Sequence, residues 1–491
     1  MNFTRRHFIR VSGAAALAAT AGCDQIPKGF ISGLAGRPVR SGPFTPPASA
    51  EIDLVSHTLN RLTFGARPGD YSRVKALGAT GEEALVAFLD EQLAPEKIED
   101  HWCAQQVRRF ETLDGSPGDL FEYQEKLLLN EMMRASVLRA ALSERQLYEV
   151  MVQFWTDHFN IDPSKGDCKW LKTADDREVV RKHALGKFPD MLRASALSPA
   201  MLWYLDGRVN RSHDPSEKPN ENYARELMEL HTLGVHGGYT QHDVMEVARC
   251  LTGWTVRSKE FLNKGGVEFR KRFHDDGAKV VLGHAIPAGL GAADLDRVLD
   301  IVAYHPATAR HIATKLCRRF IDDAAPVGAI DTVARAFEQS RGDIQSTLRA
   351  LFRTTAFSDT RGTKFKRPFH FVASALRARD ADTDVAPAVI EYLMRMGHAP
   401  FNYPTPDGYP EEASPWMGTL LWRWNFALAL GSNQIKGTSV NLFALKKAFG
   451  GELALMAHFL GRAPTQEERA AYHESGAGLA LLLGSPGFQR C

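Results

Sequence analysis

The chain has 491 residues, with 60 Lys and Arg against 58 Asp and Glu, a formal charge of +2, and 44% hydrophobic residues. So even a balance gives no sign of the strongly basic face of a nucleic-acid-binding protein, and no nucleic-acid partner is expected. Six cysteines, at 23, 103, 168, 250, 317 and 491, show no CxxC or CxxCH spacing, which excludes the usual zinc, iron–sulfur and covalent-haem signatures; export in the folded state, which the leader suggests, favours reduced, buried thiols at 250 and 317 over a disulfide framework.

The N-terminus reads as an address. Thr4-Arg5-Arg6-His7-Phe8-Ile9-Arg10 resembles a twin-arginine export signal and is followed by a weakly apolar run from Val11 to Ala21. Those eleven residues fall well short of the roughly 20 that span a bilayer. Removing residues 1–22 as a signal peptide takes away three arginines and no acids, which lowers the formal charge from +2 to −1. Thr20-Ala21-Gly22-Cys23 reads as a lipoprotein cleavage box with Cys23 as the lipidated residue, although Thr20 replaces the usual leucine; ordinary cleavage after a small residue is the alternative. Residues 23–50, with Pro27, Pro38, Pro43, Pro46 and Pro47, read as a flexible tether. The expected location is the periplasm or the membrane-anchored cell envelope.

Beyond residue 50 helical periodicity dominates, as in "EEALVAFLDEQL", "EKLLLNEMMRASVLRAAL" and "HPATARHIATKLCRRFI". The spacing predicts a mainly α fold: a large multi-helix globular body over residues 51–435, a helical C-terminal extension over 436–491, and long loops at 160–175, 206–220 and 401–418. One small β-hairpin is expected, with "VEFRKRF" and "AKVVLG" as its strands and Asp276-Gly277 in its turn.

Three stretches carry candidate chemistry. In "LYEVMVQFWTDHF", a step of about 100° per residue puts Leu147, Met151, Phe154, Trp155 and His158 on one stripe, with Asp157 at its edge. In "NENYARELMELHTLGVHGGYTQHDV", Tyr223, Leu227, Leu230 and His231 share the apolar side, while Glu226 and Glu229 lie opposite, as a solvated face or as a carboxylate pair for metal or acid–base work. Thr240 and Asp243 form a capping box. "HDDGAK" places His274, Asp275 and Lys279 about one turn, either as a plain turn or as a polar cluster aimed at a pocket. Burying His158 and His231 demands partners, which are backbone carbonyls or a divalent metal held by both histidines with a carboxylate from Asp157, Glu226 or Asp275 nearby.

Together "FWTDHFNID", "MLWYLDGRVN", "NENYARELMELHTLGVHGGYTQHDV", "ARCLTGWTV", "FHDDGAKVVLG", "HPATARHIATKLCRRF" and "PDGYP" resemble a large bacterial family catalogued as domain of unknown function 1800, over about residues 54–426. The resemblance implies an exported protein, and a second exported protein encoded nearby as partner; it carries over no catalytic residues. Two functions remain open. One is a metal-assisted or carboxylate-based hydrolase of envelope or extracellular polymer, with Asp157, His158, Glu226, His231, His274 and Asp275 as candidate catalytic residues. The other is a non-catalytic, lipid-tethered helical scaffold. A redox role has no haem, iron–sulfur or dinucleotide fingerprint behind it.

Overall fold

Capping converts the periodic segments into helices. Thr80 and Glu83 close a capping box on the helix Gly81–Gln92, and Thr240 and Asp243 do the same for Gln241–Cys250, as the sequence predicts. The computed structural model describes residues 40–212, 218–257 and 264–491. The leader, Cys23 and the tether as far as residue 39 lie outside the described residues. Within the described residues, 25 α-helices accompany three two-stranded sheets, so the fold is mainly α. No described helix is long and apolar enough to cross a membrane.

Residues from Gly42 to Cys491 form one compact unit. Within it, the end of the expected tether is packed: the Phe44 amide donates to the Ala448 carbonyl at 2.9 Å, and the Phe44 and Phe449 rings lie 5.2 Å apart. Nor does residue 435 separate two bodies. Strand Asp382–Thr383 pairs with Thr438–Ser439, the Lys366 amide donates to Gln489, and the helix Leu420–Gly431 packs against Leu479–Gly484. At the centre, every residue of the helix Pro368–Ala378 is buried. Cys103, Cys168, Cys250, Cys317 and Cys491 are buried free thiols.

The expected hairpin pairs differently. Val267–Phe269 joins Trp254–Val256, and Lys279–Val281 joins His284–Ile286 across Leu282 and Gly283. Both turn residues have positive φ, 50° and 78°, the combination that the right-handed twist of a tight hairpin requires. Asp276-Gly277 is occupied elsewhere, because the Asp275 carboxylate accepts the Gly277 amide at 3.0 Å and the Lys279 ammonium ties the Asp275 and Gly277 carbonyls.

Two helices end in a wider, π-helical turn: Cys168–Asp175 runs on into Asp176–Arg181, and Asn222–Glu226 into Leu227–Thr232. Such turns are rare and recur at functional sites. Both flank the helix Gln146–His158, whose Leu147, Met151, Phe154, Trp155 and His158 are buried as the stripe predicts.

Candidate functional site

The π turn at Leu227–Thr232 leaves carbonyls without their usual helical partners, and side chains supply the donors. Thr232 donates to Leu227 O at 2.7 Å, His158 Nε2 to His231 O at 3.1 Å, and His311 Nε2 to Leu230 O at 3.1 Å. With its Nε2 proton committed, His158 presents a lone pair at Nδ1, which accepts from the Lys315 ammonium at 3.0 Å. The His158 and His231 rings lie 6.1 Å apart, and His311 lies 6.2 Å from His158. The structure therefore brings the two predicted histidines together and adds His311 and Lys315.

Electrostatics keep this cluster neutral at the rings. Burial, then Lys315, holds His158 well below the ordinary range and His231 at about 3. Burial pulls Lys315 down to about 8, against the nearby charges of Asp157, Glu411 and Asp407. Both His231 nitrogens are buried without a hydrogen-bond partner among the described residues. At His158 a divalent ion would have to displace an existing partner. Both His158 nitrogens are taken, one by an ammonium, and the described residues hold no group of three His, Cys, Asp or Glu placed for a metal. At His158 the His231 carbonyl and the Lys315 ammonium occupy the ring nitrogens that the sequence expectation assigned to a metal.

Asp157 turns the other way. Its carboxylate accepts from Arg367 at 2.8 Å; Arg367 also reaches Glu411 at 3.3 Å, and Glu411 lies 3.5 Å from Arg319. Burial raises the Asp157 carboxyl, opposed by Arg367 and reinforced by Glu411. At Glu411 burial also pushes upward, but Arg367, Arg319 and Lys364 outweigh it and bring the carboxyl down to about 2. The loop 401–418 lies over this helix end. Asn160 donates to the Tyr403 and Thr405 carbonyls at 3.0 and 2.7 Å, and Tyr204 to Pro404 O at 2.8 Å. At Gly408, φ is 74° and a Cβ would collide with the Asp157 backbone, so only glycine allows this approach.

Asp157, Gln153 and Glu149 line a small cavity with Arg139, Asp176, Arg181, His398 and Tyr409. Its volume of about 30 Å³ holds about two waters. Leu113, Arg139, Glu149 and Arg181 also border an adjoining cleft of about 570 Å³, large enough for a ligand. Glu149 and Asp157 are eight residues apart on one helix, hence about 12 Å along its axis. That exceeds the roughly 5–9.5 Å between the two carboxyls of a glycosidase, so these two are not such a pair.

The other predicted residues are placed apart. Glu226 is half-buried, and burial followed by Glu229 raises its carboxyl, with Asp407 a further contributor. Asp407 is thus the electrostatic link between Glu226 and Lys315. His274 and Asp275 serve a separate cluster. His274 Nδ1 lies 2.9 Å from the Thr252 carbonyl and Nε2 lies 3.2 Å from Asp294, while Arg249 holds Asp275 through contacts of 2.7 and 3.2 Å. Among the described residues none of their hydrogen bonds or ion pairs reaches His158, His231 or Asp157, so of the three carboxylates expected as alternatives Asp275 lies in a separate cluster.

Sequence reading missed Lys315, Arg319, Arg367 and Glu411. A signal was present at Arg319, which takes a place on the buried stripe of the helix Pro306–Phe320 beside Ile312, Leu316 and Phe320. A cation in such a position needs a buried carboxylate somewhere in the fold.

No curated protein and no solved structure matches the chain. A family model described as "Protein of unknown function (DUF1800)" matches residues 57–490, which take in Asp157, the histidine cluster, Arg367 and Glu411, and the chain belongs to that family.

Proposed function

We propose that the protein is an exported hydrolase of envelope or extracellular polymer that works with its own side chains, Asp157 foremost, rather than with a resident metal. The observation that carries this reading is the Asp157 carboxyl, raised by burial, fixed by Arg367 and standing on the wall of a water-sized cavity that borders a ligand-sized cleft. A carboxyl whose proton affinity is raised by burial is better suited to general acid–base work than a free one. Lys315, lowered to about 8, is a second group able to change protonation within electrostatic range of Asp157. Asp157→Asn keeps the shape and loses the acid–base function. On a panel of chromogenic esters and glycosides and dye-labelled cell-wall polymer, its turnover is expected to fall about 100-fold or more. Parental turnover in this variant, or none by the parent, would refute the reading.

The second reading is a non-catalytic scaffold for another exported protein. It is favoured by the saturation of His158 and Asp275, whose polar atoms already have protein partners. Under either reading the leader sequence motivates export by a twin-arginine-type route and a lipid at Cys23. Replacing Arg5 and Arg6 by Lys is expected to leave precursor in the cytoplasm, and Cys23→Ala to move the mature protein out of the membrane fraction. Fractionation with immunoblotting reads both, and unchanged distributions would count against them.

A further inference from the structure

The helix Leu420–Gly431 is apolar on both sides. Phe426, Ala427, Ala429 and Leu430 are buried against the body, together with Arg423. On the other side, a step of about 100° per residue sets Leu420, Leu421, Trp424 and Leu428 within one arc of about 100°. The three leucines are exposed, Leu421 to 65%, and so is Met417 on the turn that leads into the helix. Among the described residues, seven of the fourteen large apolar side chains that are exposed lie between residues 394 and 453, so this is a concentration and not the usual scatter. A helix apolar all round belongs in an interior or against lipid, and here one arc lacks its cover.

Charge and position in the chain indicate what that cover is. Residues 413–451 hold three of the eight tryptophans, four cations and no Asp or Glu. Arg423 is buried, whereas Lys436, Lys446 and Lys447 are exposed, Lys446 being paired with Glu452 at 3.0 Å. Tryptophan, leucine and lysine without acids make up a surface suited to the headgroup layer of an anionic bilayer. Lysine is depleted in protein interfaces, which favours lipid over a second protein. The same stretch receives the N-terminal chain: the Phe44 amide donates to the Ala448 carbonyl, the Phe44 and Phe449 rings lie 5.2 Å apart, and Phe443 on the helix Leu442–Ala448 is 81% exposed. Cys23 precedes Phe44 by 21 residues, so a lipid at Cys23 would attach the bilayer to the chain no more than about 75 Å from this helix.

We propose that residues 413–451 form a face that docks on an anionic lipid surface, with Leu420, Leu421, Leu428 and Phe443 entering the headgroup layer and Lys436 and Lys447 against lipid phosphates. The helix Leu420–Gly431, about 18 Å long, lies along the bilayer and does not cross it. This contact adds to a lipid at Cys23 and does not depend on one. Four side chains entering shallowly hold the protein no more tightly than a single myristoyl chain, whose membrane binding is marginal and reversible, so washing still releases the Cys23→Ala protein from membranes.

The test is flotation of the mature protein carrying Cys23→Ala, so that no lipid at that residue contributes. It is mixed with vesicles of equal parts phosphatidylcholine and phosphatidylglycerol, or of phosphatidylcholine alone. Flotation with the mixed vesicles is expected, with binding to the neutral ones at least about threefold weaker. Leu421→Ser combined with Leu428→Ser is expected to weaken binding to the mixed vesicles about tenfold or more, and Phe443→Ser about threefold or more. Both variants should melt with the parent, because the altered side chains are exposed. Lys447→Glu changes an exposed charge only; it is expected to weaken binding to the mixed vesicles and not to the neutral ones, and it decides the matter should the serine variants misfold. No flotation with the mixed vesicles, equal flotation with both kinds, or parental flotation of either serine variant overturns the proposal. A parent that is dimeric without lipid and monomeric as the double serine variant assigns the face to a second copy and overturns it as well. Either failure leaves the readings of a lipid at Cys23 and of a hydrolase standing, since neither enters this measurement.

Discussion

Lowering the pH from 7.5 to 5.5 is expected to remove a large part of the folding free energy and to bring on cooperative unfolding near room temperature. Burial holds six enclosed histidines in the neutral form: His57 and His231 at about 3, His458 at about 4, and His158, His370 and His398 well below the ordinary range. Each is lowered in the folded state, so its stabilisation is complete above the unfolded value of 6.5 and is lost as the pH falls towards the folded value. Between pH 7.5 and 5.5 that amounts to about 1.4 kcal/mol per histidine, or on the order of 8 kcal/mol for the six. The raised carboxyls of Asp100, Asp157 and Glu226 act in the opposite sense and return part of it. Even on the order of 5 kcal/mol rivals the whole stability of many domains.

Specific bonds make protonation costly. The ring Nδ1 of His398 accepts the Phe369 amide at 3.3 Å, and His158 Nδ1 accepts from Lys315, so a proton on either would turn an acceptor into a donor facing a donor. Urea midpoints at pH 7.5, 6.5 and 5.5, with proton uptake on unfolding, check this. Several protons taken up at pH 5.5 and a falling midpoint are expected; a flat midpoint would mean that the rings are not neutral and enclosed.

How much of this was legible depended on whether the governing contacts were local. The stripe on Gln146–His158 and the Thr240 capping box arise from residues within one or two turns of each other, and both are present. His158 and His231 were legible because each is a histidine at an apolar position of a helical stripe. The partners were not legible: Lys315 lies 157 residues from His158, and Arg367 lies 210 from Asp157. The π turn at Leu227–Thr232 also escaped, because one extra residue in a turn hardly alters three-four spacing, yet it frees the carbonyls that fix the His158 tautomer. The hairpin failed for a related reason. Asp276-Gly277 has the turn chemistry, but the Lys279 ammonium and the Asp275 carboxylate claim its backbone, and the reversal falls at Leu282 and Gly283 instead.

Arg367→Met is expected to be among the most destabilising substitutions in the chain, at about 3–5 kcal/mol, because it breaks a buried ion pair by removing one partner. Arg367 is 2% exposed and stands at the N-terminal cap of the buried helix Pro368–Ala378, bonded to Asp157 and within 3.3 Å of Glu411. Without it, two enclosed carboxyls that already repel each other lose their shared cation. Glu411 keeps Arg319 and Lys364, whereas among the described residues Asp157 has no other hydrogen-bonded cation and keeps only the charge of Arg319 nearby. The cost should therefore lie mainly with Asp157. Adding Asp157→Asn to Arg367→Met is expected to recover about 1–3 kcal/mol relative to the sum of the single changes, a coupling that a double-mutant cycle in urea at pH 7.5 reads directly. Arg367→Lys should fall between parent and methionine variant, since an ammonium restores the charge but not the fork that spans two carboxyls. A methionine variant within about 1 kcal/mol of the parent, the range of an exposed ion pair, would show that the Arg367 cation does not hold this end of the helix together.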